Sequence, residues 1–397
     1  MNKRPKVYLS RPGIVCALGC DESEVYQNLI DGQSKGMRVI KSPLRHSHFF
    51  VGQVCSELPS IDSSLSELDC RNNQLAAAAL AQIQTEIDEH KKCYSAHRLG
   101  VVVGTSTSGI AEAEQALNAY NQSQKFPESY HYKKQELGSL AEFVAEFTGA
   151  TGPSYVVSTA CSSSGKVFAS ARTLIERGLC DAVIVGGADS ICELTLSGFE
   201  SLEATSSERT IPFSRNRNGI NIGEGAAFFV MSRAQSPVEL LGVGESSDAY
   251  HMSAPEPDGK GACLAMRRAL EDSGLEAEEV DYLNLHGTGT RLNDQMESRA
   301  VHLLFGESLQ VSSTKPLTGH ALGAAGAIEA AICWTLLAHR EDKKVAPHIF
   351  DGCYDPELSP VALCESSESK KMLSKVMSNS FAFGGNNVSV ILGSCHE

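Results

Sequence analysis

Hydrophobic positions along the chain fall into two alternating kinds of run. Short runs rich in β-branched residues (Leu99–Gly104, Ser154–Ser158, Asp181–Gly187 and Ala226–Met231) are apolar at most positions. Such continuous runs suit strands covered on both faces. Longer stretches with helical spacing lie between them. Asn73–His90 is alanine-rich in its first half, and Ser164–Gly178 ends on a glycine that can stop a helix. The second half repeats the scheme. Val238–Gly244, Asp281–Leu285 and Val388–Gly393 read as strands, Lys260–Asp272 as a helix, and Ala321–His339 as a long apolar helix with small residues in its first turns. Strands alternating with helices predict an α/β fold with mainly parallel sheets. The polar, proline-ended Ser232–Pro237 segment divides the chain into two halves, residues 1–235 and 236–397.

Composition narrows the class. With 397 residues, 42% hydrophobic and 21% charged, the chain reads as folded and globular. A net charge of −14 excludes broad nucleic-acid binding, which needs a basic surface. Thirteen cysteines are scattered with no Cys-x-x-Cys unit, which argues against a zinc site or a disulfide framework and for a reduced, cytoplasmic protein. After the basic start Met1–Lys6, the apolar Val7–Ser10 is cut short by Arg11, Pro12 and Gly13, so no signal-peptide core is expected. No run reaches the roughly 18 apolar residues of a membrane span.

Four clusters could carry chemistry. Cys161 stands among small residues at a strand–helix turn, Ser158–Gly165. There the helix dipole favours a thiolate and neighbouring N–H groups can face an oxyanion; a buried structural cysteine is the other reading. His286 follows an apolar run and opens His286-Gly287-Thr288-Gly289-Thr290, either a site at a strand's C-terminal end or a glycine-rich turn with a core histidine. Lys315-Pro316-Leu317-Thr318-Gly319-His320 precedes the helix bearing Glu329. Lys315 pairs with Glu329 in an apolar site or else is a solvated surface lysine. Asn379–Asn387 places Phe381 and Phe383 beside Gly384-Gly385, as a gate with accessible N–H groups or a hairpin turn with core aromatics. Each half thus carries a reactive side chain before a small-residue helix, and two facing units would put Cys161 beside His320. No dinucleotide fingerprint, phosphate loop or metal-ligand spacing is present.

Taken in order, and with Pro212-Phe213-Ser214-Arg215, Gly223-Glu224-Gly225-Ala226 and Asp248–Met252, these motifs resemble the β-ketoacyl-acyl carrier protein synthases of the elongating (I/II) type, in the thiolase-like superfamily. The resemblance runs from about Val7 to Gly393. It implies a duplicated fold layered α-β-α-β-α, usually dimeric, as a homodimer or a heterodimer with a related ketosynthase-like subunit. It implies a decarboxylative Claisen condensation on acyl carrier protein thioesters. Cys161 would be the nucleophile. His286 and His320 would stabilise the malonyl-derived enolate, and Lys315, with Glu329 and Asp294 in support, would organise the site. The N–H groups of Cys161 and Phe383 would form the oxyanion hole. Thr288 and Thr290 would hold the pantetheine arm, with Phe381 and Phe383 against the substrate and Phe383 as a gate. No metal or cofactor is implied beyond the carrier's own phosphopantetheine.

Relatives are set apart by single residues. Thiolases carry a C-terminal Cys-x-Gly where this chain has Phe383-Gly384-Gly385, and initiating synthases have asparagine in place of His320. Chain-length factors lack the nucleophile; a structural, chain-length-determining subunit of a heterodimer is the alternative role. Ala382 and Asn386 stand where housekeeping members typically have Gly and Thr, and Glu203 lies near a frequent arginine. These departures point to a divergent branch, such as a type II polyketide ketosynthase of the aryl-polyene kind, beside fatty-acid elongation. An acidic carrier needs a local basic patch on this chain, with Arg71, Lys133, Lys134, Arg209, Arg215 and Arg217 as candidates.

Overall fold

Two sets of strands from opposite halves of the chain follow one pairing rule in the computed structural model, which describes residues 5–42 and 48–395. In the first half, Leu99–Gly104 runs parallel to Ser154–Val157 on one side and Ala182–Asp189 on the other. Ala182–Asp189 is antiparallel to Gly225–Ser232, which is antiparallel to Gly13–Val15. In the second half, Tyr282–Asn284 runs parallel to Gln310–Ser312 and Lys375–Phe381. Lys375–Phe381 is antiparallel to Asn386–Ser394, which is antiparallel to Val238–Ser247. The repeated order of pairings is the duplication. The short strand Tyr8–Leu9 pairs with Gly225–Ser232 and Val238–Ser247, joining both sets into one continuous sheet path.

The sheets are mixed, not mainly parallel as expected. The antiparallel members are Gly225–Ser232 against Ala182–Asp189 and Asn386–Ser394 against Lys375–Phe381, the second pair joined as a hairpin by Ala382–Gly385.

Alternation along the strands explains the layers. Val101 and Val103 point to the core shared with Leu75, Ala79 and Phe143, whereas Val102 faces the central core with Phe168 and Ile332. Helices Ser163–Glu176 and Ala325–Ala338 fill the centre and touch strands of both sets. Arg71–Gln82 and Ser139–Thr148 cover the first sheet outside; Lys260–Ser273, backed by Arg291–Phe305, covers the second. The result is α-β-α-β-α. Ala325–Ala338 is apolar all round because it is enclosed all round, with Glu329 its one charged residue.

Three expected elements differ. Ser154–Val157 is partly exposed, with Tyr155 at 38%, because it is the edge strand. Asn73–His90 is two helices, Arg71–Gln82 and Gln84–Cys93, broken where Ile83 leaves helical dihedrals. Ala321–His339 begins with a tight 3₁₀ turn at Leu322–Ala324 before the α-helix. No helix among the described residues is long and apolar enough to cross a membrane. Residues 1–4 of the basic start lie outside the described residues.

Candidate active site

The turn carrying Cys161 is held by its own small residues. Ala160 adopts a left-handed φ of +52°, an uncommon conformation for a residue with a Cβ. Ser163 Oγ accepts from Thr159 N–H (2.9 Å) and donates to Ala160 O (2.6 Å), which secures it. Helix Ser163–Glu176 starts against Gly104, where a Cβ would lie 2.5 Å from Ser164 N. Glycine at 104 therefore lets the helix N-terminus close on the sheet.

The second half brings its histidines to the same place. Cys161 Sγ lies 3.0 Å from His320 Nε2. The His286 and His320 rings meet edge to face with centroids 5.2 Å apart. The sulfur and a nitrogen of each ring lie within 4.8 Å of one another. All three residues line a cavity of about 340 Å³, with Thr288, Phe381 and Phe383 on its walls. The N–H groups of Phe383 and of Cys161 itself reach the sulfur.

Charge in the site runs opposite to the dipole expectation. Burial pushes the Cys161 thiol up to about 12; Lys315 and the two N–H groups pull it down, and Asp189 adds to the rise. Burial, then the Lys315 charge, hold His286 and His320 well below the usual imidazole range, so both are neutral. Burial thus favours the uncharged forms of the thiol and of both imidazoles. Lys315 Nζ lies 2.5 Å from Glu329 Oε1, and both are buried. Burial raises the Glu329 carboxyl and Lys315 opposes that rise. Cys161, His286 and His320 have metal-ligand proximity, but the lysine charge acts on all three and opposes a cation there.

The His286 loop is fixed by a carboxylate that sequence reasoning missed. Glu297 accepts the N–H groups of His286 and Gly287, each at 2.7 Å. Asp294 accepts from Phe213 N–H (2.9 Å) and Gly289 N–H (3.2 Å), so it supports the loop from behind. The signal was present: Asp294-x-x-Glu297 puts two carboxylates on one helix face directly after Thr290. Asp189 was also missed. It accepts from Thr105, Ser106 and Thr107 and from Ala324 N–H, tying a loop of the first half to the turn after His320. His348 accepts Ser313 N–H at Nδ1 (3.1 Å) and donates through Nε2 to Pro212 O (2.9 Å). Strand-end acids and lone histidines carry no such signal in sequence.

Burial raises the Glu297 carboxyl to about 7, against the pull of the two N–H groups. An acid raised in the fold is destabilising once ionised, so its contribution is lost as pH climbs from the ordinary carboxylate range through about 7. Glu297→Gln is therefore expected to flatten the fall in unfolding free energy between about pH 4.5 and 7 by at most about 3 kcal/mol. Denaturant unfolding across that range checks this; an unchanged slope contradicts it.

Thr288 and Thr290 share a hydroxyl contact of 2.9 Å at the cavity wall. Phe381 is buried, 6.1 Å from His286 by ring centroids. Phe383 is 37% exposed and packs on Phe199 at 5.4 Å. The turn is thus a hairpin whose two aromatics part company, one to the core and one to the cavity mouth. Ala382 has an ordinary φ of −113°, and the left-handed positions are Gly384 and Gly385. Ala382 therefore costs nothing in this conformation.

Most expected docking cations are unavailable. Arg71 is paired with the buried Glu224 (2.5 Å). Arg217 is buried between Asp294 and Asp355. Lys134 is buried and donates to Ser129 O, and Lys133 pairs with Glu142. Arg209 is partly buried and Arg215 is exposed.

The chain is similar to known proteins along its length. The family model "Beta-ketoacyl synthase, N-terminal domain" matches residues 70–236, and "Beta-ketoacyl synthase, C-terminal domain" matches residues 238–348. The 3-oxoacyl-[acyl-carrier-protein] synthase 2 of Staphylococcus aureus (strain COL) is 30% identical, with 98% of this chain and 99% of that protein covered. A solved ketosynthase (ApeO) in complex with its chain length factor (ApeC) from Xenorhabdus doucetiae matches at 43% identity and a TM-score of 0.93, covering 100% of this chain and 99% of that one. The ishigamide ketosynthase/chain length factor matches at 26% identity and a TM-score of 0.86, covering 99% and 100%.

Proposed function

The chain belongs to the β-ketoacyl synthase family, and from that premise we propose that it joins a Cys161-bound acyl chain to malonyl-acyl carrier protein, with loss of CO₂, in chain elongation. The observation that carries the reading is the buried Cys161–His320 contact, 3.0 Å, with the His286 ring beside it.

In the first step the Cys161 sulfur attacks the carrier thioester carbonyl and its proton passes to His320 Nε2. Moving that proton as the bond forms overcomes a thiol whose burial disfavours the free thiolate. The N–H groups of Cys161 and Phe383 hold the oxyanion. Collapse breaks the carrier's C–S bond, and its thiolate takes the proton back from His320. In the second step malonyl thioester loses CO₂. The electron pair remains as an enolate, whose oxygen accepts a hydrogen bond from neutral His286. The carbanion attacks the acyl-Cys161 carbonyl, a carbon–carbon bond forms, and the sulfur leaves as thiolate and takes up one proton. Burial, helped by the charge of Lys315 that Glu329 fixes in place, keeps both imidazoles neutral for this step. Thr288 and Thr290 hold the pantetheine arm. The carrier's phosphopantetheine is the only prosthetic group the steps use.

The relatives solved as ketosynthase/chain length factor complexes support pairing with a related second subunit. The edge strand Ser154–Val157 offers unpaired backbone for it. The departures at Ala382 and Asn386, with the likeness to a ketosynthase that works with a chain length factor, favour a divergent branch such as a type II polyketide ketosynthase of the aryl-polyene kind over fatty-acid elongation. Every cysteine is free, which suits a cytoplasmic setting. The test is product analysis with malonyl-carrier and a panel of saturated and aryl or polyene acyl carriers. One CO₂ per β-ketoacyl product is expected. Free acid without CO₂ would mark a hydrolase, and no turnover except with a catalytic partner would mark a structural subunit.

A further inference from the structure

His348 is a third buried histidine, and none of the condensation steps uses it. It does not line the catalytic cavity. Its segment is tied to the second sheet: His348 N–H donates to Cys364 O (2.6 Å), and Cys364 N–H donates to Val311 O (2.9 Å). The ring stands edge-on to two phenylalanines, Phe213 at 6.0 Å and Phe350 at 5.2 Å by centroids. Both ring nitrogens are committed, Nδ1 to Ser313 N–H and Nε2 to Pro212 O. A backbone N–H only donates and a carbonyl only accepts, so these partners select one neutral tautomer. Burial holds the ring's pKa down to about 4, which preserves that form.

Each nitrogen leads to the loop that carries His286. Ser313 Oγ donates to Gly287 O (2.6 Å) and accepts Lys315 N–H (3.3 Å). Gly287 has a φ of +37°, and a Cβ there would lie 2.5 Å from Ser313 Cβ, so the loop and Ser313 meet at close range. At the other nitrogen, Pro212 is followed by Phe213, whose N–H donates to Asp294. Asp294 also accepts Gly289 N–H. One ring thus joins two supports of the same loop. His320 is held by other groups: its N–H donates to Asn221 O (2.7 Å) and its carbonyl accepts Gly223 N–H (2.8 Å). A shift of Ser313 therefore moves the His286 loop and leaves the Cys161–His320 contact in place.

We infer that His348 is a positioning residue for condensation: by fixing Ser313 against Pro212 it sets the place of the His286 loop. The inference rests on the proposed function, in which His286 meets the enolate. Glu297 still grips the loop through two N–H groups when His348 is lost, so the loop shifts rather than opens.

Three substitutions separate the ends of the ring. Asparagine puts an amide oxygen near Nδ1 and keeps an acceptor for Ser313; glutamine puts an amide nitrogen near Nε2 and keeps a donor for Pro212; leucine keeps neither. Each variant is read by single-turnover acylation of Cys161 and by condensation with malonyl-carrier. His348→Leu is expected to lower condensation about 10–10²-fold and to leave acylation within about threefold. His348→Asn should recover most of that loss and His348→Gln little of it. Ser313→Ala, which removes the hydroxyl bond to Gly287 O, should show the same selective loss, and it carries the test with the asparagine and glutamine variants if His348→Leu does not fold. Condensation unchanged in these variants, equal losses in both steps, or recovery by His348→Gln as full as by His348→Asn would overturn the inference. A wild-type protein that neither acylates Cys161 nor condenses would instead refute the proposed function, and the role of His348 with it.

Discussion

His286→Ala is expected to lower condensation by about 10²–10³-fold while acyl transfer to Cys161 changes only a few-fold, the size of effect seen when one oxyanion donor is removed. The separation follows from the geometry. His320, not His286, touches the sulfur. His286 faces the His320 ring across the cavity and is kept neutral by burial and by Lys315, so its task falls in the step that develops enolate charge. The fold tolerates the change because Glu297 grips the loop through the backbone N–H groups of His286 and Gly287, which alanine retains. Among the described residues the His286 Nδ1 has no hydrogen-bond partner to lose. Single-turnover acylation and malonyl decarboxylation measured side by side give the split. An equal loss in both steps would place His286 in acyl transfer instead.

Lys315→Ala is expected to act on stability and chemistry together. It leaves Glu329 buried without its partner, a change that costs about 3–5 kcal/mol for a buried pair broken on one side. Lys315→Ala combined with Glu329→Gln removes both charges and should recover much of that loss, which denaturant unfolding can read. Chemistry does not recover with it. The Lys315 charge helps depress both imidazoles, so without it their pKa values rise toward the ordinary range. Neutral rings are the active form, and activity lost on acidification should therefore disappear at a higher pH in the double variant than in the wild type. A double variant with wild-type stability and an unshifted acidic limb would refute this role for Lys315.

Much of this was legible in the chain because it is local. The buried strands Leu99–Gly104 and Ala182–Asp189 announce themselves as unbroken apolar runs, since both their faces meet helices. Cys161 and His320 each precede a small-residue helix, and the duplicated topology brings these helices together at the centre. What was not legible depends on partners far away in sequence. Arg71 looks like a surface cation until Glu224, 153 residues on, meets it. Ser154–Val157 reads as buried by composition, but its place at the sheet edge exposes it. The dipole argument for a Cys161 thiolate omitted desolvation, which wins in an enclosed site.

The central claim is that Cys161 carries the acyl chain between two carriers. Intact-protein and peptide mass spectrometry tests it directly, with acyl-carrier added first and malonyl-carrier second. The account predicts a mass gain of one acyl group on the Cys161 peptide, its loss when malonyl-carrier arrives, and neither event in Cys161→Ala. A Cys161→Ala protein that still condenses the two thioesters, or a wild-type protein acylated at some other residue, would contradict it.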